Sequence, residues 1–460
     1  MAEVITFGCR LNSAESEGIK NAANQADLGE DYVILNSCAV TNEAERDVMQ
    51  TIRKLKKTNS NCKIILTGCA AQINPNKYAE LAEVSHVIGN SEKENPDIYR
   101  KIINNEEISP IKRDIDHVAP VHAKHEDRVF YEKREISEVK IENFSKISVS
   151  DIMSETAITK TKLVTNFEGK SRAFLEIQNG CNHRCTFCII PYGRGNSRSV
   201  PYDIIRTAVV EILQNGYKEI VFTGVDITDY GMDLPDKISL GRMIKTLLRD
   251  VRGEYRIRLS SIDVAEIDED LMDLIRHEPQ FMPYFHLSLQ SGDNLILKRM
   301  KRRHSREDIL KFCDFAKSAR ENVGIGADII AGFPTETDVQ FKNSIDIIEQ
   351  CGIAFGHIFS FSPKNGTPAA QMPQVDAKTI KERNKLLAQS AATQKQKLIN
   401  NMLGSTQHIL LESNANVRCE NFVTGKLLNV DSTQHLAQGQ IYRSILKHID
   451  EKFVPFFEII

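Results

Sequence analysis

Residues 173–188 read AFLEIQNGCNHRCTFC. A run of strand length, FLEIQ, ends in Asn-Gly and opens directly onto Cys181, Cys185 and Cys188. Spacings of four and three residues in a tight loop let three thiols turn toward one point. Three thiolates suit a 4Fe–4S cluster with one iron left without a protein ligand, because the usual complement is four cysteines. A zinc knuckle completed by His183 or by a remote residue is the competing reading. Tetrahedral zinc wants a closed ligand set, and His183 lies inside the loop, where it could hardly complete a tetrahedron with its neighbours.

Downstream of this loop the chain repeats a strand–helix pattern. The strands are FLEIQ, EIVFTG, YRIRLSS, YFHLSLQS, GIGADIIAGFP and FGHIFSFSP, separated by helical segments such as IIRTAVVEILQNG. Six such units predict a six-fold partial βα barrel over residues 167–398, with its chemistry at the carboxyl ends of the strands. Upstream, VITFGC ends at Cys9, YVILNSC at Cys38 and KIILTGC at Cys69, at intervals of 29 and 31 residues. That interval is the length of one βα unit, so residues 1–104 are expected to form a flavodoxin-like parallel α/β domain with its ligands at the strand ends. Residues 105–166 are read as a charged linker with a short ordered piece. Ten Lys/Arg and ten Asp/Glu fall within 100–147, with little apolar periodicity. After a long helix from about Ala377 to Leu403, the segments QHILLES, RCENFVTG, KLLNVD and IYRSILKHI switch to strand period. They predict a small five-stranded all-β barrel over 399–460.

The 460 residues are 41% hydrophobic and 26% charged, enough to bury a core in each of about three domains. A formal charge of -3 excludes a globally basic nucleic-acid coat but not local patches. No run of about 18 apolar residues suggests a membrane span, and the opening MAEVITFGCRLN is not a secretory signal. A cytoplasmic protein is expected. Ten cysteines in a reducing compartment point to metal or redox chemistry rather than a disulfide framework.

Cys9, Cys38 and Cys69 each stand just past a strand end. Neighbouring parallel strands lie about 4.8 Å apart, so the three loops can converge on one cluster. Three buried hydrophobic cysteines fit the same placement. Cys62 falls at the opposite end of the strand that Cys69 follows, and Cys313, Cys351 and Cys419 stand alone. All four read as structural thiols.

The Cys181 loop, with the text around it, QNGCNHRCTFCIIPYGRGNSRSVP, resembles the methylthiotransferases of the radical S-adenosylmethionine (SAM) superfamily. Motifs along nearly the whole chain carry the resemblance: TFGCRLN, NSCAVT, TGCAAQ, FTGVDI, LSLQSGD, GADIIAGFPTET and FSPKNGTPAA. With GNSEK and YGRGNSRS, the set is most similar to the group that methylthiolates threonylcarbamoyl-adenosine in tRNA. The long charged linker departs from the family pattern. The resemblance implies two 4Fe–4S clusters, one on Cys181, Cys185 and Cys188, the other on Cys9, Cys38 and Cys69. It also implies SAM chelating the open iron, with two molecules used per turnover. One is cleaved to a radical that abstracts hydrogen from an unactivated aromatic carbon. The other donates a methyl group, while the N-terminal cluster presents sulfur.

Gly224 and Asp226, in the family's glycine-rich contact to SAM, would allow close approach and accept from the amino group, although Asp226 could equally cap the following turn. Ser260, Ser261 and Gln290, at later strand ends, are further candidates, and Gly332-Phe333-Pro334 lies where adenine would pack. The run LKRMKRRHSR offers Lys298, Arg299, Lys301, Arg302 and Arg303 for phosphate contact, against the ordinary reading of a solvated helix face. The C-terminal module is similar to the TRAM domain, yet residues 401–460 hold five Lys/Arg and six Asp/Glu, so RNA binding there follows from resemblance alone. The implied partners are the tRNA anticodon stem-loop and a one-electron reductant such as flavodoxin or ferredoxin, with the enzyme a monomer. Isopentenyl-adenosine in tRNA and an aspartate of a ribosomal protein are the neighbouring substrates. A non-enzymatic metal-containing RNA-binding protein is the remoter alternative.

Overall fold

The apolar runs that precede Cys9, Cys38 and Cys69 are neighbouring strands of one sheet. The computed structural model describes residues 1–108, 146–158, 163–413, 415–428 and 436–460. Its first sheet holds β1 (Glu3–Thr6), β2 (Tyr32–Ser37), β3 (Lys63–Gly68), β4 (Val84–Ile88) and β5 (Ile147–Ser148), parallel and in sequential order. All six residues of β2 are buried, as expected of a parallel strand covered on both faces. Helices α1 (Arg10–Gln25) and α5 (Pro96–Ile103) pack on Ile34, Ile65 and Ile88. On the other face α2 (Asn42–Thr58), α3 (Cys69–Ile73) and α4 (Pro75–Ala79) cover Val33, Leu35, Ile64 and Leu66. Of the segment 105–166 read as a linker, 109–145 and 159–162 lie outside the described residues. Ile147–Ser148 pairs with Val87 and Ile88 as the edge strand, and Leu163 is buried in the core of the next domain.

The second domain contains the six expected strands: β6 (Ala173–Glu176), β9 (Glu219–Thr223), β10 (Arg256–Leu259), β11 (Tyr284–Gln290), β12 (Gly324–Ala331) and β13 (Ile353–Ser360). They form two parallel three-stranded sheets, joined between β10 and β11 by the bridges Ile257–Phe281 and Ile262–Leu287. A short antiparallel pair, β7 (Gln178–Asn179) with β8 (Arg198–Ser199), brackets the cysteine loop. Strands of two residues have no period to read, so this pair was not expected. Around the strands run α6 (Ile190–Arg194), α7 (Tyr202–Gln214), α8 (Leu240–Asp250), α9 (Glu269–His277), α10 (Asn294–Arg299), α11 (Arg306–Ala319), α12 (Asp338–Cys351) and α13 (Ala377–Asn401). Asp268, Ser305, Thr337 and Asp376 cap helices by accepting first-turn N–H bonds. No helix among the described residues is long and apolar enough to cross a membrane.

The C-terminal strands β14 (Thr406–Ser413), β15 (Asn416–Arg418), β16 (Thr424–Leu427), β17 (Ile441–Ile449) and β18 (Pro455–Ile459) close a barrel in the order β14-β15-β16-β18-β17. RCENFVTG is mostly a turn rather than a strand, because Phe422 takes a left-handed φ of 76°. The fifth strand is PFFEI, whose proline sits at its first residue, the position a strand tolerates. The barrel docks at the amino ends of β9, β10 and β11. Arg256 and Arg258 share the buried Glu219 carboxylate at 2.7 and 3.1 Å and donate to the carbonyls of His408 and Glu420. The Phe422 ring stacks on Tyr284 at 4.2 Å.

Candidate active site

The loop after β6 is held in shape from several sides. Cys181 N–H donates to the Gly195 carbonyl at 3.1 Å, and Ser197 N–H to the Asn182 side chain at 3.1 Å. Thr186 donates through its N–H to Met300 O at 3.1 Å and through its hydroxyl to Arg299 O at 2.8 Å. Phe187 packs edge-on against the buried Phe333 at 6.4 Å. That contact gives the Gly332-Phe333-Pro334 segment a role in seating the loop.

The three thiols face one another's charge. Burial, then the neighbouring Cys185, pushes Cys188 up to about 12, and burial with Asp226 raises Cys181 as well. A cationic metal group reverses that cost by holding thiolates. N–H donors already point at the sulfurs: His183 N to Cys181 Sγ at 3.3 Å, and Arg302 Nη1 to Cys185 Sγ at 3.5 Å. Hydrogen bonds to sulfur of this kind tune iron–sulfur sites, so the donor set fits a cluster. His183 Nε2 lies 2.9 Å from Asp226 and 3.5 Å from Glu266, and these acids raise its pKa to about 10. Its ring is thus held by carboxylates, although Cys181, His183 and Asp226 do bring ligand atoms within 4.8 Å of one another.

The second triad is assembled from three separate loops. Cys9 is the N-cap residue of α1, Cys38 follows β2, and Cys69 opens α3. Gly8 and Gly68, immediately before two of them, have φ of 92° and 91°. A Cβ on Gly8 would stand 2.7 Å from the Cys38 Cβ, and one on Gly68 would collide with the Ser37 carbonyl oxygen. Only glycine lets the loops come this close. The Asn12 amide donates to the Phe7 carbonyl at 2.7 Å and to that of Ser37 at 3.2 Å, tying two loops together. Burial, with added repulsion from Cys69 and Cys9, pushes Cys38 up to about 11.

This triad is completed from the barrel domain. Arg194, in α6, reaches back to Glu15 at 2.7 and 2.8 Å and also donates to Asn12. Lys93 joins the same carboxylate at 2.7 Å. All three charged side chains are 2–3% exposed. Two cations on one carboxylate leave a net positive charge beside Cys9, Cys38 and Cys69, and Arg194 lowers the thiol pKa values it faces. Asn90 donates to Gly193 O at 2.6 Å and approaches Cys69 Sγ at 3.9 Å. The motifs GNSEK and YGRGNSRS thus meet on Glu15. Sequence reasoning assigned these residues no role, because nothing in their spacing shows that 89–93 and 192–199 come together.

The remaining candidates divide. Gly224 is required by Gln178, whose carbonyl oxygen would lie 2.5 Å from an added Cβ. The Gln178 side chain accepts from the N–H groups of Val225 and Asp226 at 3.0 and 2.8 Å. Asp226 faces Cys181 and His183 across the loop. Among the described residues the buried Ser260 hydroxyl has no hydrogen-bond partner, Ser261 is half-buried, and Gln290 ends β11 at φ 67°, a strained position for a residue with a side chain. In the basic run, Lys298 and Lys301 face solvent. Arg299 donates to the Thr335 hydroxyl at 2.8 Å, and Arg303 pairs with Glu266. Arg302 is a correction to the phosphate reading: its guanidinium turns inward to Asp263 at 2.7 Å and to Cys185. A buried charge paired in this way is not free to meet a phosphate. Cys62 and Cys419 are buried apart from both triads. Cys313 and Cys351, each isolated in the sequence, face each other between α11 and α12.

Residues 175–348 match the radical SAM superfamily and residues 1–89 the uncharacterized protein family UPF0004. Tryptophan-binding radical SAM methyltransferase TsrM from Kitasatospora setae shares the fold at TM-score 0.50 and 12% identity, covering 78% of this chain and 68% of that one. The fold and the loop after β6 therefore define a radical SAM protein. The threonylcarbamoyladenosine tRNA methylthiotransferase of Rickettsia prowazekii is 43% identical over 98% of this chain and 96% of its own. That of Thermotoga maritima is 33% identical over 88% and 85%. A tRNA-2-methylthio-N(6)-dimethylallyladenosine synthase from Lachnoclostridium phytofermentans is 28% identical over 93% and 87%. The chain belongs to the family of threonylcarbamoyladenosine tRNA methylthiotransferases.

Proposed function

We propose that this chain inserts a methylthio group at carbon 2 of N6-threonylcarbamoyladenosine beside the anticodon of tRNA. The observation that carries the reading is a second cysteine triad, Cys9, Cys38 and Cys69, completed by Arg194 of the radical SAM domain, in a chain 43% identical to an enzyme named for that activity. Cys181, Cys185 and Cys188 would hold one 4Fe–4S cluster and the N-terminal triad the other. When bound, the clusters and SAM supply the one-electron chemistry that replaces an unactivated aromatic hydrogen, beyond the reach of side-chain acids and bases.

The chain's own residues bind and orient. Arg302 and the His183 amide donate to the thiolates of the first triad. Asp226, Gly224, Ser261 and Gln290 border the mouth where SAM would lie, and Arg194 with Lys93 balances the charge of the second triad. Lys298 and Lys301 are placed to meet phosphates of the anticodon stem-loop, whose single-stranded bases can be splayed into a pocket. A flavodoxin- or ferredoxin-type reductant, a cytoplasmic location and a monomeric enzyme belong to the same reading.

Nucleoside mass spectrometry of tRNA from a strain lacking the gene tests it. The methylthiolated threonylcarbamoyladenosine should be absent, restored by the parent chain, and not restored by Cys38→Ala or Cys181→Ala. Loss of methylthio-isopentenyladenosine instead would replace the substrate. Unchanged tRNA with loss of a methylthiolated aspartate would make the substrate a protein.

A further inference from the structure

Arg10 directly follows Cys9 and points away from the N-terminal domain into the barrel. Its guanidinium donates to the carbonyl of Ser260 at 3.3 Å, just past the end of β10. It lies 5.3 Å from the Phe422 ring centroid and within hydrogen-bonding reach of the Tyr284 hydroxyl. Four guanidiniums surround that ring: Arg10, Arg172, Arg258 and Arg418. Three are matched by carboxylates, Arg258 by Glu219 at 3.1 Å, Arg172 by Glu412 at 3.0 Å, and Arg418 by Glu412 at 2.8 Å. Among the described residues Arg10 has no carboxylate within ion-pair distance. A half-buried guanidinium with a carbonyl and a ring for company retains donors, and its planar fork matches a carboxylate.

The surroundings are equally polar. Tyr284 and His286 lie two residues apart on one face of β11, with the hydroxyl 3.0 Å from His286 Nδ1. His286 Nε2 is 2.9 Å from Asp328 on β12, and His357 on β13 is 3.3 Å from the same carboxylate. The lumen therefore offers a cation at one end of a hydrogen-bonded chain, beside the cysteine triad assigned to sulfur delivery. Carbon 2 and the N6 substituent of an adenine are borne by the same six-membered ring. A side chain that reads that substituent therefore belongs to the same pocket as the group that acts at carbon 2, and Arg10 is one residue from Cys9.

We propose that Arg10 binds the carboxylate of the N6-threonylcarbamoyl group and so sets the choice of an acidic over a hydrocarbon N6 substituent. This rests on the function proposed above. The carboxylate of SAM presents the same chemistry from another source, and the test separates the two.

The reconstituted full-length chain is titrated with three anticodon stem-loops: threonylcarbamoyladenosine, its carboxamide analogue, and unmodified adenosine. The parent should bind the acid about 10- to 100-fold more tightly than the amide, the range of a charge-assisted hydrogen-bonded pair. Arg10→Gln should abolish that ratio while leaving iron content, SAM affinity and substrate-free SAM cleavage unchanged. Arg10→Lys should restore part of it. No preference of the parent for threonylcarbamoyladenosine over adenosine would defeat the proposed function itself. A parent that prefers it but binds acid and amide alike would overturn the inference, as would an Arg10→Gln chain that keeps the ratio. Loss of SAM affinity in Arg10→Gln, with the ratio intact, would assign the guanidinium to SAM.

Discussion

The two cysteine triads solve one problem in opposite ways. At the barrel mouth, eight consecutive residues carry all three thiols, and the loop is pinned by its own surroundings through Thr186, Phe187 and the β7–β8 pair. In the N-terminal domain, three loops some thirty residues apart each deliver one thiol, and the set is closed only by Arg194 from another domain. A contiguous site is robust to the rest of the fold. An assembled site depends on the interface, and so couples its own integrity to domain docking.

The comparison breaks most sharply at the cysteines themselves. Cys181→Ala should abolish SAM cleavage and remove about half of the bound iron, the share of one 4Fe–4S cluster in two. Cys38→Ala should lose a similar share of iron yet keep reductive SAM cleavage. Anaerobic reconstitution with iron analysis and a cleavage assay measures both. An inert Cys38→Ala beside an active Cys181→Ala would reverse the roles.

Arg194 tests the dependence on docking. Arg194→Met removes the hydrogen bonds that the guanidinium gives Glu15 and Asn12 while Lys93 still pairs with Glu15, and a hydrogen bond to a charged group contributes about 1.5–3 kcal/mol. Thermal denaturation should show that loss. Iron should fall by the share of the N-terminal cluster, while the Cys181 site stays loaded and cleaves SAM. Equal loss from both sites would mean that the contiguous loop also depends on this interface.

This division also explains what could be read from the sequence. The Cys181 triad was legible because its chemistry lies in one stretch, and the six barrel strands because short apolar-rich runs recur between helical segments, even where, as in β13, few of their residues are buried. The thiols of the second triad were legible through the βα repeat. Their partners Glu15, Lys93 and Arg194 were not, since a buried ion pair across a domain interface has no local pattern. The same limit misplaced Arg302: a run of six basic residues looks like a surface, and only the fold turns one of them toward Cys185. RCENFVTG failed for another reason, since Phe422 is held at a positive φ by stacking on Tyr284, a tertiary override of strand propensity.

The four cysteines outside the triads supply a smaller effect. Cys62, Cys313, Cys351 and Cys419, replaced singly by Ala, should keep the parent's iron content and lose about 0.5–3 kcal/mol of stability, the usual span for a buried substitution. Cys313→Ala and Cys351→Ala are expected to be non-additive when combined, because each removes the other's partner. Loss of a whole cluster from any of the four would show that the ligands were mis-chosen.

The smallest effect sharpens the contrast within the basic run. Lys298 and Lys301 face solvent, whereas Arg302 is engaged by Asp263 and Cys185. Removing one cation that neutralises a phosphate lowers the slope of log affinity against log salt by about one. Lys298→Gln with Lys301→Gln should therefore flatten the tRNA-binding slope by about two, with iron content unchanged. Arg302→Gln should leave the slope as it is and disturb the cluster at Cys185 instead. Truncation at Gly404 is a poorer probe, because it removes the carbonyls that Arg256 and Arg258 bond and the ring that Tyr284 stacks on. Instability would then mimic a loss of RNA binding. If the double lysine replacement left the slope untouched while Arg302→Gln flattened it, the inward and outward assignments would have to be exchanged, and the charge beside Cys185 would be the one that meets RNA.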